Sequence, residues 1–317
     1  MKRNSPTIPV ITGPTGVGKT ALSLTIADRA PVEIVSVDSR QLYRELTIGT
    51  AKPTEQELGH VPHHFIDECS VFKPDTALSA GAFASLAWKR MEAIVARGNL
   101  PLVVGGSTLY LHALQEGLAD IPDVPQDVRS EVEADMNRHG PEKMFARLQE
   151  VDPAAARTMD STKTQRVQRA LEVFEATGKP LSYFHDQTPT PPFQFDTVVL
   201  HRDRDELYDR INRRVDVMLE AGLVDEVKAL VREGVDRSAP PLRTIGYREV
   251  FDFLDGEIPF EEMRRLIKRN SRRYAKRQLT WFRRYDHYEW IEAPDEVTDE
   301  TLTKVATHLR ALQPFCP

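Results

Sequence analysis

The sequence predicts an α/β fold, because short apolar strands alternate with helical segments from residue 8 to residue 116. Such alternation is typical of parallel β-α-β units. A glycine-rich turn lies between the first strand and the first helix. From about Gly117 the pattern becomes helical, and strand-like segments are absent until Thr197. We therefore expect a parallel-sheet core formed by residues 1–116 and 196–317, interrupted by a helical insertion at 117–195.

The predicted elements of the core follow one another in a regular order. Strands are expected at Ile8–Thr12, Glu33–Val37 and Leu100–Val104, and helical segments at Thr20–Arg29 and Pro74–Arg97. Asp38 follows the second strand, and Ser107 lies just beyond the third. Ligands bind outside the carboxyl ends of strands in parallel sheets. We therefore expect both side chains and the glycine-rich turn to border one crevice.

The second half of the chain is mostly helical. Helical spacing predicts the segments Val128–Met136, Glu142–Gln149 and Thr164–Ala176 inside the insertion. Thr197–Leu200 follows a proline-rich break and returns as a strand of the sheet. Beyond it, the helical segments Asp205–Val231 and Phe260–Arg284 are expected to complete the core.

Composition excludes several classes of protein. No apolar run has the length that a membrane span needs, and the first residues lack the apolar stretch of a signal peptide. The two cysteines, Cys69 and Cys316, have no paired ligand spacing, so neither a disulfide framework nor a zinc site is expected. We expect a cytoplasmic protein with no membrane partner. A monomer is the default, because no pairing signal appears in the sequence.

The glycine-rich turn matches the phosphate-binding pattern G-x-x-x-x-G-K-[ST]. Its residues are Gly13, Pro14, Thr15, Gly16, Val17, Gly18, Lys19 and Thr20. Glycines allow backbone amides to converge on an anion at the start of the next helix, and Lys19 adds a full positive charge. The Thr20 hydroxyl is placed to ligate Mg²⁺ that also binds the phosphates. The loop predicts a P-loop NTPase-like sheet and a phosphate ligand.

The identity of the phosphate compound is left open by the residues alone. A kinase or ATPase would carry an acid at the end of a Walker B strand, to support Mg²⁺. Leu100–Val104 ends in two glycines instead, and the nearest strand-end acid is Asp38. Asp38 would support the metal or act as a general base, and the alternative is that it caps the next helix.

Residues 264–284 carry ten Lys or Arg and no acid, although the whole chain has a net charge of −6. On a helix, cations at four-residue intervals would form one slowly winding stripe, while Met263, Ile267 and Tyr274 would face the interior. We interpret this stripe as a surface that contacts the phosphates of RNA. The alternative is an ordinary solvated face of the helix, which we do not favour for ten cations without an acid. Trp281 and Phe282 would stack on bases or pack in the core, and we favour core packing for at least one.

Several segments resemble the tRNA dimethylallyltransferases of bacterial type, from residue 8 to residue 285 and in the same order. Besides the phosphate loop, the matching segments are Asp38–Tyr43, Ile48–Pro53, His63–Asp67, Gly105–Tyr110, Gln165–Glu172, Ile245–Glu249 and Lys276–Phe282. One departure is Ser107-Thr108, since the family usually has threonine at the first position. No cysteine-rich extension follows residue 285, so the zinc finger of eukaryotic members is not expected.

The resemblance implies a reaction. The family transfers a dimethylallyl group from dimethylallyl diphosphate to the exocyclic amine of the adenosine 3′ of the anticodon, in tRNAs that read codons beginning with U. The phosphate loop would then hold a diphosphate leaving group, and Mg²⁺ would be the cofactor. Asp38 matches the catalytic aspartate of the family. Lys19 and Ser107 are the other two residues expected to take part in catalysis. The Ser107 hydroxyl would bond the base or the amine, or else cap a helix.

The resemblance also implies that the anticodon stem-loop is gripped by the helical insertion, while the target adenine is extruded into a pocket. The implied tRNA-contacting residues are Asp38, Ser39, Arg40, Gln41, Ser107, Arg129, Gln165, Arg166, Val167, Gln168, Arg169, Arg243, Thr244, Ile245, Gly246, Tyr247, Arg248, Lys276, Arg277, Gln278, Leu279, Thr280, Trp281, Phe282 and Arg283. His63 and His64 have no third ligand at useful spacing, so we expect a structural or pocket-wall role instead of a metal site.

Three other functions compete with this interpretation. A small-molecule kinase would use the same loop on ATP and would not need the insertion. A relative that prenylates free adenylate would not need the basic stripe. A non-catalytic RNA-binding protein would have no use for Lys19, Thr20 and Asp38 together.

Overall fold

The structure, a computed structural model, describes residues 6–119, 121–122 and 124–315. Within this part of the chain, the strands form one six-stranded, all-parallel sheet in the order β3-β2-β4-β1-β5-β6. The strands are β1 Thr7–Thr12, β2 Val32–Val37, β3 His63–His64, β4 Leu100–Gly105, β5 Gln194–His201 and β6 Glu289–Glu292. The predicted α/β fold with a parallel sheet is therefore confirmed.

Helices connect successive strands. They are α1 Lys19–Ala27, α2 Glu55–His60, α3 Ala80–Ala96, α4 Thr108–Glu116, α5 Gln126–Val151, α6 Pro153–Ala156, α7 Thr164–Thr177, α8 Leu181–His185, α9 Arg204–Glu220, α10 Leu223–Arg232, α11 Tyr247–Leu254, α12 Phe260–Phe282 and α13 Asp299–His308. Short 3₁₀ helices lie at Pro74–Thr76, Pro240–Arg243 and Arg310–Phe315. None of the helices in the described ranges is long and apolar enough to cross a membrane.

The register of three neighbouring strands brings their carboxyl ends together. Thr12 of β1 pairs with Gly105 of β4, and Gly105 also pairs with Val37 of β2. These strands are almost wholly buried, as expected for a parallel sheet whose two faces are covered by helices. The phosphate loop, Asp38 and Ser107 each follow one of these three strands, so they emerge at one edge of the sheet.

Several predicted element boundaries were wrong. The helical segment expected at Asp205–Val231 is two helices, because Gly222 has a φ of 99° that a helix cannot continue through. The segment from Pro74 becomes an α-helix only at Ala80, where the Ser79 side chain accepts a hydrogen bond from the Ala82 amide. The short edge strands β3 and β6 were not predicted, since two or four residues show little periodicity.

The chain divides into two compact units, Met1–Gln115 with Pro191–Pro317 and Glu116–Thr190. The second unit contains no strand in its described residues and has its own apolar core, which includes Val132, Leu148 and Leu171. Its long helix α5 is broken at Gly140, where φ is 80° and Pro141 follows. Buried Asp152 accepts hydrogen bonds from the Ala155 and Ser182 amides, and so ties α6 to α8.

One buried charged cluster fastens the sheet of the first unit at the end away from the strand termini described above. The Glu33 carboxylate of β2 accepts hydrogen bonds from Arg97, from the Asn99 amide and from His64 of β3. The Arg97 guanidinium is the main cause that lowers the pKa of Glu33 from 4.5 to about 2. Because its folded-state pKa is depressed, Glu33 stabilises the fold above pH 4.5, and this stabilisation is lost as the pH falls towards 2.

We expect Glu33→Gln to lower the free energy of unfolding by about 2–3 kcal/mol at pH 7, because Arg97 and His64 lose their charged partner. At pH 3 the difference from the wild type should be much smaller. Urea unfolding followed by tryptophan fluorescence measures it, since Trp88, Trp281 and Trp290 all lie in the first unit. Glu92→Gln, an exposed change on α3, is the matched control. An equal destabilisation at both pH values would contradict the prediction.

Candidate active site

The phosphate loop wraps the start of α1 in the geometry that its sequence predicts. Gly13 has a φ of 146°, and a Cβ atom there would lie 2.5 Å from the Leu200 carbonyl oxygen, so only glycine fits. The Lys19 ammonium donates hydrogen bonds to the carbonyls of Gly13 (3.0 Å) and Pro14 (2.9 Å). The Thr15 amide is engaged within the protein, because it donates to Oε1 of Gln278 at 3.0 Å.

Lys19 lies beside a second cation that sequence analysis did not single out. Burial is the largest cause that lowers the pKa of Lys19 from 10.5 to about 8, the Arg214 guanidinium lowers it further, and Asp38 opposes both. Burial also lowers the pKa of Arg214. Two cations held together away from water are costly unless an anion joins them. The spacing of Arg210, Arg213 and Arg214 on one face of α9 was the signal available in the sequence.

Asp38 caps a turn and not a helix. Its Oδ1 accepts hydrogen bonds from the Arg40 amide at 2.9 Å and the Gln41 amide at 3.3 Å, and no helix follows before α2. The other carboxylate oxygen, Oδ2, has no hydrogen-bond partner among the described residues, and Asp38 lines the cavity. The backbone therefore fixes one oxygen and leaves the other available to a ligand.

Ser107 joins the turn after β4 to the turn after β2. Its hydroxyl oxygen accepts a hydrogen bond from the Ser39 amide at 3.0 Å and lies 3.4 Å from the Ser39 hydroxyl. It makes no hydrogen bond with Asp38 in the described structure, so any action on the base runs through the neighbouring Ser39. Tyr274 lies close by, and burial raises the pKa of its phenol to about 12.

A cavity of about 1120 Å³ opens where these segments meet. Its wall carries a strong excess of positive charge over the two acids Asp38 and Glu57. The lining cations are Lys19, Arg40, Arg210, Arg213, Arg214, Arg243 and Arg277. Such a wall concentrates field lines of one sign and favours a polyanionic ligand. Of the two acids, Asp38 follows the strand next to β4 and has one unpartnered oxygen, which suits proton transfer from a bound ligand.

Comparisons with known proteins agree with this geometry. The family model described as IPP transferase matches residues 41–285. The chain belongs to this family. A tRNA dimethylallyltransferase of Salinibacter ruber is 58% identical over 293 residues, which cover 92% of this chain and 90% of that protein. A relative of the same description from Chlorobium phaeovibrioides is 44% identical over 312 residues, covering 97% of this chain and 98% of that protein.

Solved structures show the same family. The full-length tRNA isopentenylpyrophosphate transferase of Bacillus halodurans is 39% identical, with a TM-score of 0.69 and coverage of 97% of this chain and 98% of that chain. A eukaryotic dimethylallyltransferase captured while acting on tRNA is 27% identical, with a TM-score of 0.75. The match covers 97% of this chain and 77% of that chain.

Within this IPP transferase fold, some residues expected to contact RNA are exposed and others are not. Ser39, Arg40, Gln41, Ser107, Arg243, Thr244, Ile245, Gly246 and Arg277 line the cavity, and Gln165, Arg166, Arg248, Lys276, Thr280 and Arg283 are exposed. The side chains of Val167, Tyr247, Gln278 and Phe282 are at most 3% exposed in this structure, and their contact with RNA stays a prediction. They belong to hydrophobic or hydrogen-bonded cores that hold the contact segments in place.

The buried Gln278 has a role that the sequence did not reveal. Its amide nitrogen donates to the Gly106 carbonyl at 2.7 Å, while its amide oxygen accepts from Thr15. One side chain of α12 thus holds the phosphate loop against the turn that carries Ser107.

In the second unit, the Arg129 Nε atom is buried without a hydrogen-bond partner among the described residues.

The cationic stripe on α12 is shorter than predicted. Arg264 and Lys268 form ion pairs with Asp216 of α9, and Arg265 pairs with Glu262 of its own helix. The exposed cations in the second half of the run are Arg273, Lys276, Arg277, Arg283 and Arg284. No ion pair involves any of them within the part of the chain that the structure describes. Met263 and Ile267 are buried, as expected, whereas Tyr274 is half-buried and lines the cavity. Phe282 is buried, which agrees with core packing for at least one of the two aromatics.

The paired histidines have the structural and wall roles expected of them. His64 Nε2 lies 2.7 Å from a Glu33 carboxylate oxygen, and His63 lines the cavity with a pKa lowered by burial. No group of three or more His, Cys, Asp or Glu side chains is arranged to hold a metal in the described ranges. Cys69 is buried and free, and Cys316 lies outside the described residues.

The lowered pKa of Lys19 predicts how anion binding responds to pH. A bound diphosphate stabilises the charged ammonium, so affinity should fall as the pH rises through about 8 and the free protein loses this proton. We expect a diphosphate monoester, whose own protons are lost by neutral pH, to bind roughly tenfold more weakly at pH 9 than at pH 7. Isothermal titration calorimetry measures this difference.

Lys19→Met should bind weakly at both pH values and show no such pH dependence, because it has no proton to lose. Lys89→Met, an exposed change on α3, should behave as the wild type does. Equal wild-type affinity at pH 7 and pH 9 would show that Lys19 stays charged or takes no part in binding.

Proposed function

We propose that this chain is a tRNA dimethylallyltransferase. It transfers a dimethylallyl group from dimethylallyl diphosphate to the exocyclic amine of the adenosine 3′ of the anticodon, in tRNAs that read codons beginning with U. The observation that carries the proposal is the cation-lined cavity in which the phosphate loop meets a carboxylate with one free oxygen. The names of the most similar relatives support the same reaction.

The donor half of the reaction requires stabilisation of the departing diphosphate. As the allylic C–O bond breaks, its electron pair stays on the diphosphate oxygen, where negative charge grows. Lys19, Arg214 and the backbone amides at the start of α1 present preorganised positive charge to that group. The Thr15 amide is engaged by Gln278 in this structure, so it serves to shape the loop.

Thr20 fits a Mg²⁺ ion that binds together with the diphosphate. Its side chain is exposed on the cavity wall, and its hydroxyl has no protein partner in the described part of the chain. A single hydroxyl suits Mg²⁺, which commonly keeps several waters and takes its remaining ligands from substrate phosphates. When bound, the ion would neutralise charge on the leaving diphosphate.

The acceptor half requires a base and an open position for the adenine. The amine nitrogen forms the new bond to the allylic carbon, and its proton then passes to Asp38 through the unpartnered Oδ2. An adenine reaches such a cavity only when it is extruded from the anticodon loop. Exposed Lys276, Arg277 and Arg283 of the α12 region would neutralise RNA phosphates. In the second unit, exposed Gln165 and Arg166 would also contact RNA.

We expect label from radioactive dimethylallyl diphosphate to appear in an unmodified anticodon stem-loop that carries adenosine 3′ of the anticodon. Asp38→Asn should lower kcat about a thousandfold and keep the fold, because it removes only the proton acceptor. AMP and ATP serve as competing acceptors. Label in AMP alone would identify an adenylate prenyltransferase. Phosphate release from ATP without prenyl transfer would contradict the proposal and support a kinase or ATPase function instead.

The metal proposal makes a separate prediction. Thr20→Val should raise the Mg²⁺ concentration needed for half-maximal transfer by roughly tenfold, because the ion loses its protein ligand. The measurement is a Mg²⁺ titration of the initial rate after treatment with a chelator. Thr307→Val on α13 is the control, since its hydroxyl bonds only its own helix. An unchanged Mg²⁺ requirement in Thr20→Val would remove Thr20 from the metal site.

A further inference from the structure

One wall of the cavity is an irregular segment that forms no helix or strand of its own. Residues 47–53 lie between β2 and α2, and Gly49, Thr50, Ala51 and Pro53 line the cavity. Ala51 has a φ of 44°, a left-handed conformation that an L-residue adopts only when its surroundings impose it. Something outside the segment must therefore hold it in place.

Glu226, from α10, holds the segment in place by accepting hydrogen bonds from its backbone. Its Oε2 accepts hydrogen bonds from the amides of Thr47 (3.0 Å) and Ile48 (2.8 Å). Its Oε1 accepts from the Gly49 amide at 3.2 Å and from the Tyr247 hydroxyl at 2.6 Å. A carboxylate is the side chain that accepts at both oxygens, and hydrogen bonds to a charged acceptor are the stronger ones.

Tyr247 packs against this segment and also bonds Glu226. It is fully buried, and burial together with the Glu226 carboxylate raises the pKa of its phenol, so it keeps its proton and donates a hydrogen bond to Glu226. A Cβ atom at Gly49 would lie 2.5 Å from the Tyr247 ring. The backbone of the segment thus rests directly on the ring, and the position of that ring depends on the hydrogen bond to Glu226.

A chain of hydrogen bonds runs from residues 47–51 through Gln41 to Asp38, the proposed base. The Gln41 side-chain amide donates to the carbonyls of Thr50 (3.3 Å) and Ala51 (3.2 Å). The backbone amide of the same Gln41 donates to Asp38 Oδ1 at 3.3 Å. A shift of residues 47–51 therefore moves Gln41, whose amide is one of the two that orient the Asp38 carboxylate.

We propose that Glu226 is a positioning residue for the acceptor side of the site. It fixes residues 47–51 against Tyr247 and, through Gln41, sets the direction of the free oxygen of Asp38. The inference rests on the proposed transfer reaction. Glu226 makes no hydrogen bond to the phosphate loop in the described structure, so we expect its effect on the nucleoside acceptor and its deprotonation.

The test is Glu226→Gln, which keeps the shape of the side chain but places an NH₂ group against backbone N–H donors. With the anticodon stem-loop as acceptor, we expect kcat to fall about thirtyfold, because hydrogen bonds to a charged group are lost and the base is misdirected. The KM for dimethylallyl diphosphate should stay within about twofold of the wild type, because the donor loop is untouched. Glu233→Gln, an exposed change just after α10, should leave both constants unchanged.

Tyr247→Phe provides a second variant that removes one hydrogen bond and keeps the ring. We expect a smaller fall in kcat, and the double variant should be no slower than Glu226→Gln alone, because both changes act on one unit. If Glu226→Gln fails to fold by circular dichroism, Tyr247→Phe carries the test by the same split between kcat and donor KM.

Three outcomes would overturn the inference. Wild-type kcat in the folded Glu226→Gln protein would remove the positioning role. An equal loss in donor affinity and in kcat would indicate a general structural role. If the wild type transfers nothing to the stem-loop, the proposed function itself fails and this inference falls with it.

Discussion

The site depends on the register of three adjacent parallel strands. β2, β4 and β1 lie side by side, and Val37, Gly105 and Thr12 are in register at their carboxyl ends. The strands approach so closely there that a Cβ atom on Gly105 would lie 2.2 Å from the Val37 carbonyl oxygen. Glycine at this position therefore lets the turn carrying Ser107 pass beside the turn carrying Asp38. A one-residue slip would reverse the faces of these strands and separate the three turns.

The distribution of charge follows from the same arrangement. Several basic side chains elsewhere on the first unit are neutralised locally, as Arg97 is by Glu33 and Arg264 by Asp216. In the cavity, Lys19 and Arg214 lie together under burial that lowers the pKa of each. That arrangement is costly in the free protein, and binding of a polyanion relieves it. The acidic net charge of the chain thus conceals a strongly cationic interior surface.

Helix α12 connects the phosphate loop to a set of exposed cations that we propose to contact RNA. Its exposed side presents Arg273, Lys276 and Arg277, while its buried Gln278 holds Thr15 and Gly106 in place. The ion pairs of Arg264 and Lys268 with Asp216 fix its first half on α9, the helix that contributes Arg214. In the proposed reaction, RNA phosphates bound along this helix would therefore lie close to the phosphate loop.

The sequence by itself determined the α/β alternation, the phosphate loop and the placement of Asp38 and Ser107 at strand ends, because these depend on local periodicity and glycine spacing. It also determined the family, through motifs that keep their order along the chain. Only the tertiary structure decided which cations stay unpaired, that Val167 and Tyr247 are buried, and that Gln278 and Glu226 support the cavity. These contacts join residues up to 263 positions apart, and the packing of helices against the sheet sets them, so no local pattern reveals them.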